Sequence, residues 1–319
     1  MKIAVLMGGH QSEHEVSIRS GETVISALKP HVESIKSVVI DANLKTWRID
    51  DEPFHPTVAL KTLSSFVDVS YVATHGPFGE DGTLQGALEA VDARYTGSGI
   101  AASALSMNKA ASGGIMKSQG YRVPPFVTFA KNDLDDALEQ INELGWPFIL
   151  KPINAGSSVG VSLIEDEEQL REHVARNPFV ELMAQKYIKG VEATSAVIDI
   201  GDKPEALPVV EIRLKDSTLF NYEVKYDADL VDEICPSTLP KKVNEEVQQL
   251  ALDAYRNLYC KGLVRSDFVI DKDNNVWYLE TNTSPGLTET SLVNKMLAAA
   301  DMDLGETLFK MCEKAAIKV

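Results

Sequence analysis

Cysteine is scarce in this sequence. The 319-residue chain holds three, Cys235, Cys260 and Cys312, too few and too scattered for a disulfide framework or a structural zinc site. Reduced thiols and a cytoplasmic protein are the expectation. Long apolar runs are missing as well. The opening run over residues 3–7 stops at Gly8-Gly9, short of a signal-peptide core, and no stretch reaches the roughly 18 apolar residues of a membrane helix. No membrane association is expected. Positive charge is deficient too: 31 Lys and Arg stand against 47 Asp and Glu, a formal charge of −16. That balance excludes a nonspecific polyanion-binding surface, so no nucleic-acid partner is expected and any phosphate site must be local.

Hydrophobic residues make up 44% and charged residues 24%, the composition of a folded soluble protein, and the length predicts two or three domains. The start, KIAVLMGG, reads as a parallel strand buried on both faces and ending in a tight turn. A helix over 15–28, a strand over 34–40, a strand over 67–73, a Gly-rich loop and a helix over 83–91 continue an open α/β layer. A helix from Met107 to Gln119 ends at Gly120 before Pro124-Pro125, and another over 133–144 ends at Gly145. Strands over 148–151 and 159–164, joined by a small-residue loop, predict a hairpin that could serve as a lid. Strands over 193–200 and 206–212 precede a polar segment over 215–240, whose weak patterning suits an active-site loop. A helix over 243–259, two strands and a terminal helix complete the chain. The division is 1–106, 107–190 and 191–319.

The richest chemistry lies in RSDFVIDKDNNVWYLETNTSPG, residues 265–286. A four-residue hairpin loop at 272–275 would pair Asp271 with Val276 and set Asp267 opposite Glu280. Directly opposed carboxylates repel unless a cation lies between them. Asn282 shares their side by the two-residue strand period and adds a neutral oxygen, an all-oxygen set suited to Mg²⁺. A solvated hairpin face with aligned charges is the alternative reading. Lys151 with Gly156-Ser157-Ser158-Val159-Gly160 offers backbone donors, hydroxyls and a charge for phosphate, although a plain hairpin turn has similar composition. THGPFGEDGTLQG, residues 74–86, and GGHQSEHEVSIRSG, residues 8–21, are strand-to-helix loops where α/β proteins bind ligands. His10, Glu13 and His14 spell H-x-x-E-H, but zinc peptidase chemistry needs both histidines on one helical face, and His10 follows a glycine turn.

Taken in order, GGHQSEHEVSIRSG, HGPFGEDGTLQG, YTGSGIAASALSMNK, KPINAGSSVGVS, NYEVKY, CPSTL, RSDFVID and LETNTSPGLTETSLV resemble the ATP-grasp ligases, specifically the D-alanine–D-alanine ligases of peptidoglycan synthesis. The resemblance covers nearly the whole chain. It implies an α/β chain with the ATP-grasp fold and an N-terminal open parallel α/β (pre-ATP-grasp) domain that holds the first D-alanine. Two further domains clasp ATP between their sheets. By motif, Glu13 resembles the anchor for the first D-alanine's ammonium, with Ser157 and Tyr226 as its hydrogen-bonding partners and His75 in the subsite wall. Lys109, Lys151 and Lys225 resemble phosphate-contacting lysines, helped by Ser158. Gln185, Lys186, Tyr187 and Ile188 match the adenine hinge, and Glu192 the ribose-binding acid. Asp267, Glu280 and Asn282 match the ligands of two Mg²⁺ ions, with Mn²⁺ a substitute. Arg265 and Gly286 match groups that hold the acyl phosphate and tetrahedral intermediate, and Ser291 and Leu292 the pocket for the second D-alanine's carboxylate. A homodimer is also implied. Gln185 departs from the Glu common there, and Asn108 from a common Asp. The competing readings are an ATP-grasp ligase with other acceptors and a nucleotide-binding regulator without turnover.

Overall fold

A computed structural model describes residues 1–10, 13–156, 159–215 and 231–317. In the first sheet β1 (Lys2–Gly8) lies between β2 (Ser34–Ile40) and β5 (Val69–Val72), parallel to both. Its side chains alternate between two cores. Ile3 and Val5 face Val24 and Leu28 of α1 (His14–Leu28), whereas Ala4 and Leu6 face Leu63 of α2 (Pro56–Phe66) and Leu84 and Leu88 of α3 (Thr83–Glu89). The apolar run at 3–7 is therefore continuous because both faces are covered. The expected run of parallel units is interrupted on one side. β3 (Trp47–Ile49) and β4 (Glu52–Phe54) add an antiparallel edge, giving the order β4-β3-β2-β1-β5. Asp50 and Asp51 turn between them at φ 49° and 70°, the left-handed pair of a tight hairpin turn.

The helix expected from Met107 to Gln119 is α5 (Lys109–Ser118), and a further helix that the pattern did not predict, α4 (Ile100–Met107), precedes it. Asn108 stands between them at φ −82° and ψ 101°, its side chain accepting from Ala111 N–H at 2.9 Å. That local bond competes with continued helix and starts a new one. Lys109 is thereby placed on a first helical turn.

The second sheet is antiparallel, in the order β6-β9-β7-β8, from β6 (Phe126–Ala130), β7 (Phe148–Pro152), β8 (Ser162–Ile164) and β9 (Glu181–Lys186). α6 (Leu134–Leu144) and α7 (Glu167–Arg176) cover it, with Ile141, Leu170 and Val174 packed on Phe148 and Leu150. The hairpin of β7 and β8 pairs Phe148 with Ile164. Its second strand is shorter than the expected 159–164, since Gly160 turns the chain at φ 75°.

The third sheet runs β13-β12-β10-β14-β15, with β11 also on β10. Its strands are β10 (Gly190–Ile198), β11 (Glu205–Ala206), β12 (Val210–Leu214), β13 (Val231–Ile234), β14 (Leu263–Asp271) and β15 (Val276–Asn282). The single strand expected over 206–212 is divided, with Pro208, which has no N–H to offer a ladder, lying between the two pieces. β13 falls inside the polar segment expected to lack regular structure. Residues 216–230 of that segment lie outside the described residues. α8 (Lys241–Asn257) packs Val247, Ala251 and Ala254 on Phe268 and Tyr278. α9 (Leu292–Ala299) and α10 (Leu304–Ala316) occupy the other side. There Leu308, Met311 and Cys312 join one cluster with Ile3, Val5 and Val69 of the first sheet and Ala196, Ile198 and Leu263 of the third. Among the described residues no helix is long and apolar enough to cross a membrane.

Candidate active site

The hairpin loop holds three residues rather than four. Asp271 N–H donates to Asn275 O at 3.1 Å, and Asn274 sits at φ 62°, a type I turn closed by a left-handed residue. Ile270, not Asp271, therefore faces Val276. A register shift between Asp267 and Phe268 then restores the expected opposition of Asp267 and Glu280, and it also sets Arg265 opposite Asn282. The extra residue in β15 is a bulge, which re-aims side chains without ending the ladder.

Six polar side chains converge as a result. Arg265 grips Asp267 with Nε to Oδ1 at 2.8 Å and a second nitrogen to Oδ2 at 2.7 Å. Thr194 Oγ1 on β10 donates to Asp267 Oδ1 at 2.6 Å, and Asn282 Nδ2 to Oδ2 at 3.1 Å. Glu280 Oε2 lies 3.1 Å from Lys109 Nζ, which also donates to Ala155 O at 2.6 Å. Burial opposes the charge on Arg265, but Asp267, with Glu280 behind it, more than restores it and raises the guanidinium. Burial likewise pushes Glu280 up, and the Lys109 charge, aided by Lys151, outweighs both that and Asp267 to hold it below the ordinary carboxylate value. Lys151, 7% exposed on β7, is pulled down to about 8 by burial. An all-oxygen carboxylate pair bordered by cations fits a divalent ion.

The second and third sheets enclose a cleft of about 470 Å³. Lys109, Lys151, Arg265, Asp267 and Glu280 line one part of it. Gln185, Lys186, Tyr187 and Ile188 line another as the chain crosses from β9 to β10, with Glu192 beyond them. Lys186 N–H donates to Pro125 O at 2.8 Å, fixing this crossing. Leu292, at the start of α9, reaches the same cleft. An apolar cavity with a few convergent polar groups is the usual form of a nucleotide-sized site.

A second group forms where the first sheet meets the others. Glu13 precedes α1, and a Cβ at either Gly76 or Gly156 would collide with its carboxylate. Three of the singled-out loops thus meet at Glu13. Gly76 has φ 66°, which favours a residue with no Cβ. His75 lies beside it with Nδ1 at 2.8 Å from Ser284 O. Gly286 and Ser291 are neighbours, since a Cβ at Gly286 would stand 3.3 Å from Ser291 Oγ, itself 2.8 Å from Thr288 Oγ1. His14 opens α1 while His10 precedes it, so the two histidines share no helical face. Ser157, Ser158, Lys225 and Tyr226 lie outside the described residues.

Sequence reasoning passed over Thr194, Ser20 and Glu80. Thr194 carries no local signal, and Ser20 lies within the segment quoted over residues 8–21 without being singled out. Glu80 sits within the quoted loop, and its carboxylate accepts from Gly76 N–H at 2.9 Å and Ser284 N–H at 2.8 Å. Burial, then the Glu13 charge, raise it to about 7.

A family model described as D-ala D-ala ligase C-terminus matches residues 115–313, and one described as D-ala D-ala ligase N-terminus matches residues 55–98. A D-alanine–D-alanine ligase of Pelotomaculum thermopropionicum is 36% identical over 99% of this chain and 96% of its own. The chain belongs to the D-alanine–D-alanine ligase family. It is a ligase with the ATP-grasp fold. A solved family member from Bacillus anthracis, complexed with ATP, superposes with a TM-score of 0.81 at 31% identity, covering 99% of this chain and 96% of that one. The VanG D-Ala:D-Ser ligase of Enterococcus faecalis superposes with a TM-score of 0.82 at 25% identity, covering 99% of each chain.

Proposed function

We propose that the protein uses ATP to join two D-alanines, through a D-alanyl phosphate, for peptidoglycan synthesis. The observation that carries this reading is the meeting of Arg265, Asp267, Glu280 and Lys109 at one end of the nucleotide-sized cleft. A pure nucleotide binder has no use for a buried arginine beside its phosphate end. Lys109, Lys151 and Lys225, with Ser158, bind the phosphates as the first D-alanine's carboxylate attacks the γ-phosphorus. Gln185, Lys186, Tyr187 and Ile188 hold adenine and Glu192 the ribose. Glu13 anchors the first D-alanine's ammonium, with Ser157 and Tyr226 bonded to it and His75 in the wall. The amine of the second D-alanine, freed of its ammonium proton, then attacks the acyl carbonyl; Arg265 and the Gly286 N–H stabilise the developing oxyanion, and phosphate leaves as the tetrahedral centre collapses. Ser291 and Leu292 receive its carboxylate.

Asp267, Glu280 and Asn282 would hold Mg²⁺, or Mn²⁺ in its place. When bound, the ions neutralise charge on the transferring phosphoryl group. The two carboxylates stand opposite each other and are balanced by Arg265 and Lys109, as a site for exchangeable cations requires. The proposal extends to domains at 1–106, 107–190 and 191–319, a homodimer, and a cytoplasmic setting where ATP and Mg²⁺ are at hand.

The test is a panel of D-alanine, D-serine, D-lactate and L-amino acids with ATP and Mg²⁺, read by phosphate release and product mass. D-alanyl-D-alanine as the main product is expected. Phosphate release without any D-amino-acid requirement would overturn the reading, and a mixed D-alanyl-D-serine product would move this chain toward the VanG specificity.

A further inference from the structure

Ser284 is held on every polar side. Its N–H donates to Glu80 Oε1 at 2.8 Å, its carbonyl lies 2.8 Å from His75 Nδ1, and its hydroxyl donates to Val72 O at 3.5 Å. A carbonyl oxygen only accepts, so Nδ1 carries the hydrogen of the imidazole. His75 Nε2 lies 2.9 Å from Ser20 Oγ, which accepts from Leu287 N–H at 3.2 Å. With the imidazole neutral, Nε2 is the acceptor, so Ser20 receives one proton from Leu287 and donates its own to His75. The bonds form a directed chain: Leu287 N–H to Ser20, Ser20 O–H to His75, His75 N–H to Ser284 O. Glu80 Oε2 accepts from Gly76 N–H at 2.9 Å, tying this acid to the residue after His75. Ser20, His75 and Glu80 are all buried.

The segment so gripped leads directly to Gly286, and Pro285 between them has a ring-fixed φ that passes the orientation of Ser284 onward. Burying a carboxylate beside a second acid is unfavourable unless its oxygens are used, and both Glu80 oxygens are. We propose that His75 and Glu80 are positioning residues that lock the Ser284 peptide groups and so aim the Gly286–Leu287 backbone at the reacting carbonyl. The aim rests on the role of Gly286 proposed above, whereas the lock does not.

Two readouts separate lock from aim. Amide hydrogen exchange over residues 283–287 in the ligand-free protein reads the lock. Glu80→Gln and His75→Gln should speed it at least about tenfold. His75→Asn, whose amide nitrogen can replace Nδ1, should stay nearer to wild type. Steady-state kinetics reads the aim: kcat for D-alanine should fall by about 10- to 100-fold in the Gln variants, with KM for ATP within about twofold, and His75→Asn should recover part of it. Unchanged exchange alongside lost kcat would overturn the lock and assign His75 to direct substrate contact. His75→Asn no better than His75→Gln in exchange would do the same. Should Glu80→Gln not fold, Ser20→Ala breaks the chain at its other end and is held to the same two outcomes. If the wild type releases no phosphate with D-alanine, the proposed function fails while the exchange result still decides the lock.

Discussion

Gly76→Ala isolates the Glu13 carboxylate. The backbone at Gly76 has φ 66°, and a left-handed conformation costs an L-residue about 1 to 2 kcal/mol. The new Cβ would also fall on Glu13 Oε2, so the carboxylate has to retreat by about 1 Å or more to reach ordinary contact. A misplacement of that size in a substrate-positioning group costs about 10²-fold in rate, equivalent to about 2.7 kcal/mol. Gly120→Ala is the matched control, with φ 88° and nothing within 4 Å of its Cβ. Both variants should lose a few degrees of melting temperature from backbone strain by calorimetry, Gly76→Ala more because of the Glu13 clash, and they should differ in activity. Initial-rate phosphate release against D-alanine at saturating ATP should show kcat/KM down about 10²-fold for Gly76→Ala and within about twofold of wild type for Gly120→Ala. Equal activity losses, or none in Gly76→Ala, would refute the assignment of Glu13 as the substrate anchor.

Glu280→Gln should cut turnover by about 10²-fold or more and lower the melting temperature by a few degrees, because it removes a metal-facing charge and leaves Lys109 without its partner; normal turnover at limiting Mg²⁺ would sink the metal assignment. Glu80 is raised to about 7 in the fold by burial and by Glu13, from an ordinary value of 4.5. A raised carboxyl favours its protonated form in the native state, so its stabilising contribution is complete below the unfolded value and is lost as pH rises through about 7. Denaturant titrations should thus show the stability gap between wild type and Glu80→Gln moving in the variant's favour from pH 5 to 8, by up to about 3 kcal/mol, and a pH-independent gap would contradict this. Ser157→Ala and Lys225→Ala should lower ligase rates with melting temperatures within about a degree of wild type, as for polar groups in segments of small or polar residues; activity and stability falling together would assign them structural roles.

The parts legible in the sequence are those fixed by local pattern. The strand over 34–40 and the helix reaching Leu28 match the structure because apolar spacing sets them. The opposition of Asp267 and Glu280 came through despite a miscounted loop, since the three-residue turn and the bulge shift the register in compensating directions. No simple pairing rule foretells a bulge at that position. The start of α5 at Asn108 was within reach, because its N-cap bond is local, whereas α4 before it went unpredicted. Glu80 was hidden for the opposite reason: its partner Ser284 lies 204 residues away, and only the docking of the first and third sheets brings them together.

The packing of α10 sets a timetable for synthesis. Leu308, Met311 and Cys312 complete the apolar cluster that contains Ile3, Val5 and Val69, so one face of the first sheet waits for a helix translated roughly 300 residues later. At about 5 to 20 residues per second that wait lasts about 15 to 60 s. Until then α1 alone covers that face of the nascent sheet, and the part that α10 completes around Val69 stays open to chaperones. Protease resistance of the first sheet in a ribosome-bound chain should therefore rise when α10 emerges, which limited proteolysis of stalled chains would read.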